Sequence, residues 1–123
     1  MSKVLILQEN PRINYNKAAE FGDLRFVTNK EYTGNQSSLT DPEIISNLKA
    51  AVNKFRLDED YIVLSGSPIL IGLAMCALAS KLITDQWVDG LHLLHYNKNT
   101  DMYREVVIPV ETLMDLVKCE IGD

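Results

Sequence analysis

The side chains that could bind a ligand follow the predicted strands of this chain of 123 residues. Short apolar or alternating runs at 4–7, 24–27 and 61–64 predict three strands, and a polar loop follows each of them. Because the carboxyl ends of parallel strands lie at one edge of a sheet, we expect these loops to converge there. The candidate ligand-binding residues on the loops are Gln8, Asn10, Arg12, Lys30, Ser65, Gly66 and Ser67.

The segment 65–68, with the sequence Ser-Gly-Ser-Pro, is the centre of this candidate site. Ser67 is a favourable N-cap, and Pro68 suits the first position of a helix. Free amides and the helix dipole favour negative charge, so a small nucleotide-like or phosphorylated anion could bind here, helped by Arg12 or Lys30. The plainer interpretation, which we favour, is structural: the serine caps the helix and the glycine makes a tight turn, because every helix start needs such partners.

Motifs for phosphate binding, metal binding and catalysis are missing from the sequence. The first turn after the strand 4–7 has no glycine, unlike the dinucleotide pattern, and no Lys-Ser/Thr follows Gly66 at P-loop spacing. His92 and His95 are three apart in a predicted strand, so they point to opposite faces and cannot hold one metal ion together. The acidic run 58–60 is interpreted as a solvated connection. We therefore expect no catalytic residue, no metal site and no cofactor, and favour a protein that is not an enzyme.

Composition and charge argue against other classes of partner. With 12 Lys and Arg against 17 Asp and Glu, the formal net charge is −5, which disfavours nucleic acid and anionic membrane surfaces. The longest apolar segment, 69–79, is shorter than the ~20 residues that span a bilayer, and no signal peptide is visible. Cys76 and Cys119 lie in apolar surroundings and are expected to be reduced thiols. These observations predict a cytoplasmic protein.

The order of the predicted elements is that of a single α/β domain covering residues 1–123. With a fourth strand at 91–96 and a fifth at 102–110, we expect a small Rossmann-like, mainly parallel five-stranded sheet in the order 2-1-3-4-5, the last strand antiparallel. In this three-layer fold the helix 41–55 is expected to cover one face of the sheet and the helix 68–83 the other. Opposite placements create a switch point between strands one and three, where such folds bind ligands.

The helix 68–83 differs from an ordinary surface helix because it is apolar nearly all round. It is either sandwiched between the sheet and an amphipathic tail helix predicted within 110–123, or part of a self-association surface. A C2 dimer is the default geometry for such a surface, and the edge strand 102–110 is a further candidate for the contact. Gly72 fits both accounts, because a missing side chain lets another backbone approach closely.

Several short motifs of the chain resemble those of a known group of proteins. They are Ala18 with Phe21-Gly22-Asp23-Leu24, Asp60-Tyr61 with Gly66 and Pro68, and Tyr103 ahead of Ile108-Pro109-Val110. With these motifs, the chain resembles small α/β proteins encoded in tailed-phage genomes over residues 3–110. The resemblance implies a phage-encoded protein of the host cytoplasm, but it implies no activity and no site residues.

Two hypotheses on function remain. The first, which we favour, is a non-catalytic interaction protein of a phage that docks on a host macromolecule, such as a host protein, or on a second copy of itself. The second is a domain that binds a small nucleotide-like or phosphorylated ligand at the start of the helix 68–83. An acidic composition, small size and the missing catalytic constellation support the first hypothesis, and the converging polar loops support the second.

Overall fold

A computed structural model describes residues 2–10, 12–28, 42–84 and 88–117 of the chain. The first strands are β1, Lys3–Gln8, and β2, Asp23–Thr28, with a 3-10 helix at Tyr15–Glu20 between them. Next come helix α1, Pro42–Lys54, strand β3, Tyr61–Val63, and helix α2, Pro68–Thr84. Strands β4, Gly90–Asn97, and β5, Met102–Pro109, precede helix α3, Val110–Val117.

The five strands form one sheet in the order β2-β1-β3-β4-β5, as the sequence predicts. Strand β1 pairs in parallel with β2 and β3, β3 pairs in parallel with β4, and β5 returns antiparallel to β4. Strand β3 has only three residues, and its register with β4 consists of the pair Ile62 and Leu93. The α/β fold class, the strand order and the mixed sheet are therefore confirmed.

The three α-helices lie on one face of the sheet, and the 3-10 helix lies on the other. The core beneath the α-helices includes Leu5, Leu7, Ile44, Leu48, Val52, Ile62, Leu70, Ala74, Leu78, Leu82, Leu91 and Leu113. The core on the opposite face includes Val4, Ile6, Tyr15, Ala18, Val63, Leu94 and Tyr103. Alternate residues of β1 thus enter different cores, as the period of two in a strand requires. The sheet, the α-helices and the 3-10 helix make up three layers.

The prediction that helices 41–55 and 68–83 cover opposite faces is wrong, because α1 and α2 share one core. The physical reason is that parallel crossovers are almost always right-handed. The connections from β2 to β3 and from β3 to β4 run in the same direction across the sheet, so both place their helix on the same face. The connection from β1 to β2 runs in the opposite direction and crosses the other face. The predicted switch point remains, since the chain leaves β1 toward one face and β3 toward the other.

Helix α2 is covered on several sides but not all round. Its buried residues recur every four positions and are Leu70, Ala74, Leu78 and Leu82. Both α1 and α3 contact α2, so α3 provides the cover that the sequence predicts for the C-terminal helix. An exposed row consists of Gly72, Cys76 and Ser80. Residues 118–123 of the predicted tail lie outside the described residues, and none of the described helices is long and apolar enough to cross a membrane.

Asp60 belongs to a buried network, which corrects the interpretation of the acidic run 58–60 as a solvated connection. Its side chain is fully buried. Its carboxylate accepts hydrogen bonds from the Lys3 amide at 2.9 Å, the Arg56 amide at 2.8 Å and the Arg56 guanidinium at 3.2 Å. Burial alone raises the pKa of Asp60, but the hydrogen bonds from Arg56 and Lys3 more than offset this and lower the pKa. The network ties the start of β1 to the start of β3.

Candidate functional site

A cavity of about 340 Å³ lies beside the carboxyl end of β3. Strand β3 stops at Val63 while β4 continues to Asn97, so the sheet has a gap next to residues 93–96. The loops after β1 and β3 border this gap, which places the cavity at the switch point. The polar and aromatic residues of its wall are Asn10, Tyr15, Ser65, His95, Tyr96 and Tyr103, and apolar side chains complete the wall.

Two of the three tyrosines in this wall have protein partners for their hydroxyl groups. Tyr15 comes from the 3-10 helix, and its hydroxyl accepts a hydrogen bond from the Asn10 amide at 2.8 Å. Tyr96 and Tyr103 are cross-strand partners in the β4–β5 hairpin, with ring centroids 5.1 Å apart. The Tyr96 hydroxyl donates to the Asp101 carboxylate at 2.7 Å.

The Tyr103 hydroxyl differs from the other two. The residue is only 7% exposed, and its buried oxygen has no hydrogen-bond partner among the residues that the structure describes. Burial, assisted by the charges of Tyr15, Tyr96 and Asp101, raises the pKa of Tyr103 to about 12, so the hydroxyl is a neutral donor near pH 7. A buried donor without an acceptor costs about 1–3 kcal/mol. Such groups are rare in folded proteins, and each calls for a physical explanation.

Asn10, Ser65 and Gly66 are the predicted site residues that line the cavity. The loops after β1 and β3 therefore converge as the sequence predicts. Arg12 is exposed and is not part of the cavity wall. Its amide donates to the Asn10 side-chain oxygen at 3.0 Å, which keeps it in the same loop. Lys30 lies outside the described residues.

The polar groups of Ser67 at the start of helix α2 already form hydrogen bonds within the protein. The Ser67 amide donates to the Gln8 side-chain oxygen at 2.9 Å, and the Ser67 hydroxyl accepts from the Ile69 amide at 3.2 Å. Pro68 has no amide to donate. Gly66 has a φ of +94°, and a Cβ there would collide with the Gln8 side chain, so this turn requires glycine. Ser67 thus caps the helix. The anion site at this position stays a prediction, and fewer hydrogen-bond donors are free to bind an anion there than the sequence suggested.

The described wall of the cavity is poor in charged side chains. Among its described wall residues there is no Lys, Arg, Asp or Glu. His95 is exposed and is the cross-strand partner of Arg104 in β5. The site can therefore provide apolar contact, aromatic faces and a few hydrogen bonds.

A second polar cluster lies on the same face of the sheet, toward the opposite end of its strands. His92 Nδ1 lies 3.1 Å from Glu105 Oε2, and His92 Nε2 lies 3.1 Å from Asp89 Oδ1. The Tyr61 ring packs edge-on against the imidazole, with centroids 6.0 Å apart, and burial together with the nearby Glu105 carboxylate raises the pKa of Tyr61. Burial alone lowers the pKa of His92, but the hydrogen bonds and charges of Glu105 and Asp89 raise it overall. Over the described ranges, no three His, Cys, Asp or Glu side chains are placed to hold a metal ion.

Neither the cavity nor the unpaired hydroxyl of Tyr103 was predicted from the sequence. One signal was available: the apolar run 61–64 ends at Ser65, whereas the neighbouring run 91–96 is longer. A short central strand beside a longer one leaves a gap in the sheet. The environment of the tyrosine hydroxyl had no such signal, because it depends on which residues surround that gap.

Comparison with known proteins identifies the family. Residues 2–110 match the family described as phage Pam3 gp32-like protein, and this range includes the whole cavity wall. Neither the curated proteins nor the solved structures give a significant match. The resemblance to phage proteins over residues 3–110 is confirmed, and α3 beyond Val110 lies outside the matched range. The chain belongs to the phage Pam3 gp32-like protein family.

Proposed function

We propose that this member of a phage protein family binds a small molecule in the cavity between the loops after β1 and β3. The observation that carries the proposal is the cavity itself. Its volume of about 340 Å³ falls within the range of about 300–1,000 Å³ that is usual for small-molecule sites. It also lies at the switch point, where open α/β sheets take their ligands.

The chemistry of the wall supports the proposal. Apolar and aromatic side chains predominate, and a small number of polar groups lie among them, which is typical of ligand sites. The two bordering loops are also held together before any ligand arrives. The Ser65 hydroxyl donates to the Gln8 carbonyl at 2.9 Å, and the Ser67 amide donates to the Gln8 side chain at 2.9 Å. A preformed site loses less entropy on binding than one that must first order its loops.

The proposal is one of binding without catalysis. Ser65 and His95 both line the cavity and would be the first candidates for a nucleophile and a base. The Ser65 hydroxyl, however, donates to the backbone of Gln8 and not to an imidazole. An activated nucleophile needs a hydrogen bond to its base, so this pair does not favour covalent chemistry.

Protein-observed amide NMR with a fragment library of neutral, anionic and cationic compounds tests this proposal. We expect fragments to bind and to shift the amide signals of Ser65, Gly66 and Tyr96. Val106→Phe should reduce binding because Val106 lines the cavity, whereas Val107→Phe is the matched control on the neighbouring exposed position. The absence of any hit at millimolar concentration, or shifts confined to another surface, would contradict the proposal.

We also propose that the chain associates with a second copy of itself through α2. Gly72 is exposed within this helix, and a Cβ there would meet no atom within 4 Å. Glycine destabilises a helix interior by about 1 kcal/mol relative to alanine, and no contact within the described chain requires it. Close approach of a second α2 would require it. Leu116 of the adjacent α3 is 66% exposed and adds apolar surface on the same layer.

Sedimentation at micromolar concentration tests the self-association. We expect a dimer for the natural sequence and a monomer for Gly72→Leu, whose side chain fits the free protein but blocks a close helix contact. Cys76→Ser is the control, because it changes the same exposed row without adding bulk. A natural protein that sediments as a monomer of 13.9 kDa would contradict the proposal. Docking on a host macromolecule and action in the host cytoplasm stay predictions.

A further inference from the structure

We infer that a second site, apart from the cavity of the proposed function, binds a small organic acid with an apolar body. The site, the basic groove, has a volume of about 220 Å³ and lies between β2 and the last turns of α1. It is on the face of the sheet that carries the α-helices, beside the amino ends of β1 and β3. The inference depends on the charge of the groove and on its apolar surface.

Three cationic side chains contribute to the wall of the basic groove, although the chain as a whole has a formal net charge of −5. They are Lys3, Arg25 and Lys54, and none of them forms an ion pair with the residues that the structure describes. An ammonium has three N–H donors and a guanidinium has five. Lys3 uses one for the Lys54 carbonyl at 3.3 Å, and Arg25 uses one for the Leu24 carbonyl at 3.0 Å. Donors and positive charge thus remain for an anion.

The negative groups beside the basic groove already have cationic partners or lie outside its wall. The Asp60 carboxylate belongs to the wall, but it is buried and accepts a hydrogen bond from the Arg56 guanidinium. Asp23 of β2 is exposed and is not among the described wall residues. The carbonyl groups at the end of α1 carry the negative end of the helix dipole. The Lys81 ammonium offsets this charge, since it donates to the Val52 carbonyl at 2.8 Å.

The rest of the wall is apolar, so a ligand needs an apolar body as well as a charge. Leu5 and Phe55 belong to the core beneath the α-helices, and Ala50 and Ala51 contribute small side chains from α1. Phe26 is 40% exposed, and a ligand in the groove would remove part of this apolar surface from water. The volume lies below the about 300 Å³ at which sites for drug-sized compounds begin. The ligand is therefore a short acid with one ring or a short alkyl chain.

The first experiment is an amide NMR titration of the full chain with four probes at millimolar concentration. The probes are phenylacetate, phenylacetamide, which has nearly the same shape without the charge, phenethylammonium, and inorganic phosphate, which has no apolar body. We expect phenylacetate to shift the amides of Arg25, Ala51 and Lys54 and to bind at least fivefold more tightly than each of the other three.

Two results of this titration would overturn the inference. One is the absence of a shift at these three amides with phenylacetate, and the other is equal or tighter binding there of the amide, the ammonium compound or phosphate. The amides that border the cavity of the proposed function report that site separately. Either site can therefore fail while the other stands.

The second experiment compares variants that remove one positive charge each. Arg25→Gln should weaken binding of phenylacetate about three- to fivefold and keep the affinity for phenylacetamide within twofold. Lys54→Gln should act in the same way, and both residues are exposed, so we expect both variants to fold. Arg104→Gln is the matched control, because Arg104 is exposed on β5 at the opposite edge of the sheet. Equal weakening by Arg104→Gln would assign the effect to net charge and overturn the inference, as would unchanged affinity in both groove variants.

Discussion

The two ends of the sheet differ in how many of their polar groups have hydrogen-bond partners. Toward the amino ends of β3 and β4, the His92 imidazole bonds to Glu105 and Asp89, each at 3.1 Å. At the same end but on the face covered by α1, the Asp60 carboxylate accepts three hydrogen bonds. Toward the carboxyl ends, the Tyr103 hydroxyl is buried with no partner among the described residues. The same strands β3, β4 and β5 contribute to both ends.

This difference separates polar groups whose hydrogen bonds are made from one that has no partner among the described residues. A buried polar group with its hydrogen bonds made can contribute to stability, whereas one without them reduces it. The amino end therefore acts as an anchor for β1, β3 and the hairpin. The carboxyl end retains an unfavourable group, because the buried Tyr103 hydroxyl has no partner among the described residues. Substitutions at the two ends should thus change stability with opposite signs.

The largest expected effect is the loss of the Asp60 network. Asp60→Ala removes the acceptor of three hydrogen bonds and leaves the Lys3 and Arg56 amides without it. We expect the free energy of unfolding to fall by about 3 kcal/mol. Urea denaturation measures it, and Asp58→Ala, on an exposed neighbour, should stay within about 0.5 kcal/mol of the natural protein. Equal stability of the two variants would show that the amino end is not an anchor.

A smaller effect is expected from the titration of His92. Its pKa in the folded protein is raised above the ordinary value of 6.5, so the folded state binds the proton more tightly than the unfolded chain. The resulting stability is fully present below pH 6.5 and is lost as the pH rises through the raised value. We expect a loss of about 1 kcal/mol or less, since both carboxylates are partly exposed.

Urea denaturation at pH 6.0 and at pH 8.5 checks this pH dependence. His92→Gln should lack the loss of stability between the two values, and His95→Gln should retain it because His95 is exposed on the same strand. If the natural protein is equally stable at pH 6.0 and pH 8.5, the charge of the cluster around His92 contributes nothing to the free energy of unfolding.

The smallest expected effects come from replacing one tyrosine with phenylalanine at each end of the sheet. Tyr61→Phe removes a hydroxyl that lies near the Glu105 carboxylate, and should lower the free energy of unfolding by about 1 kcal/mol or less. Tyr103→Phe removes a hydroxyl that has no partner among the described residues, and should raise the free energy of unfolding by about 1 kcal/mol or less. Thermal melts of both variants measure the sign. Two changes of the same sign would abolish the distinction between the two ends.

Features that depend on neighbours in sequence were predictable, and features that depend on distant strands were not. The N-cap role of Ser67 was predicted because its partner Ile69 is two positions away. The strand order followed from apolar runs and connection lengths. Asp60 was misinterpreted because the Lys3 amide that it binds is 57 positions away, and the acidic run itself is typical of solvent.

The faces occupied by the helices were predictable in principle. Right-handed crossovers that run in the same direction across a sheet place their helices on the same face. The predicted strand order 2-1-3-4-5 already fixed those directions. The Tyr103 hydroxyl was beyond sequence reasoning, because its isolation depends on where β3 stops relative to β4. The loops after β1 and β3 meet at Asn10, Ser65 and Gly66 as predicted, whereas the loop after β2 lies outside the described residues and the anionic ligand stays a prediction.

The short strand β3 also determines how the sheet should open and close. The pair Ile62 and Leu93 is the register contact between β3 and β4, so the sheet has a weak seam that separates β2-β1-β3 from the β4–β5 hairpin. Local opening at this seam should let the β4 amides exchange with solvent sooner than those of β1, which is paired on both sides. A ligand in the cavity would touch Ser65 on one side of the seam and Tyr103 on the other. Binding would then join the two parts of the sheet, and slower hydrogen exchange across the seam would report an occupied site.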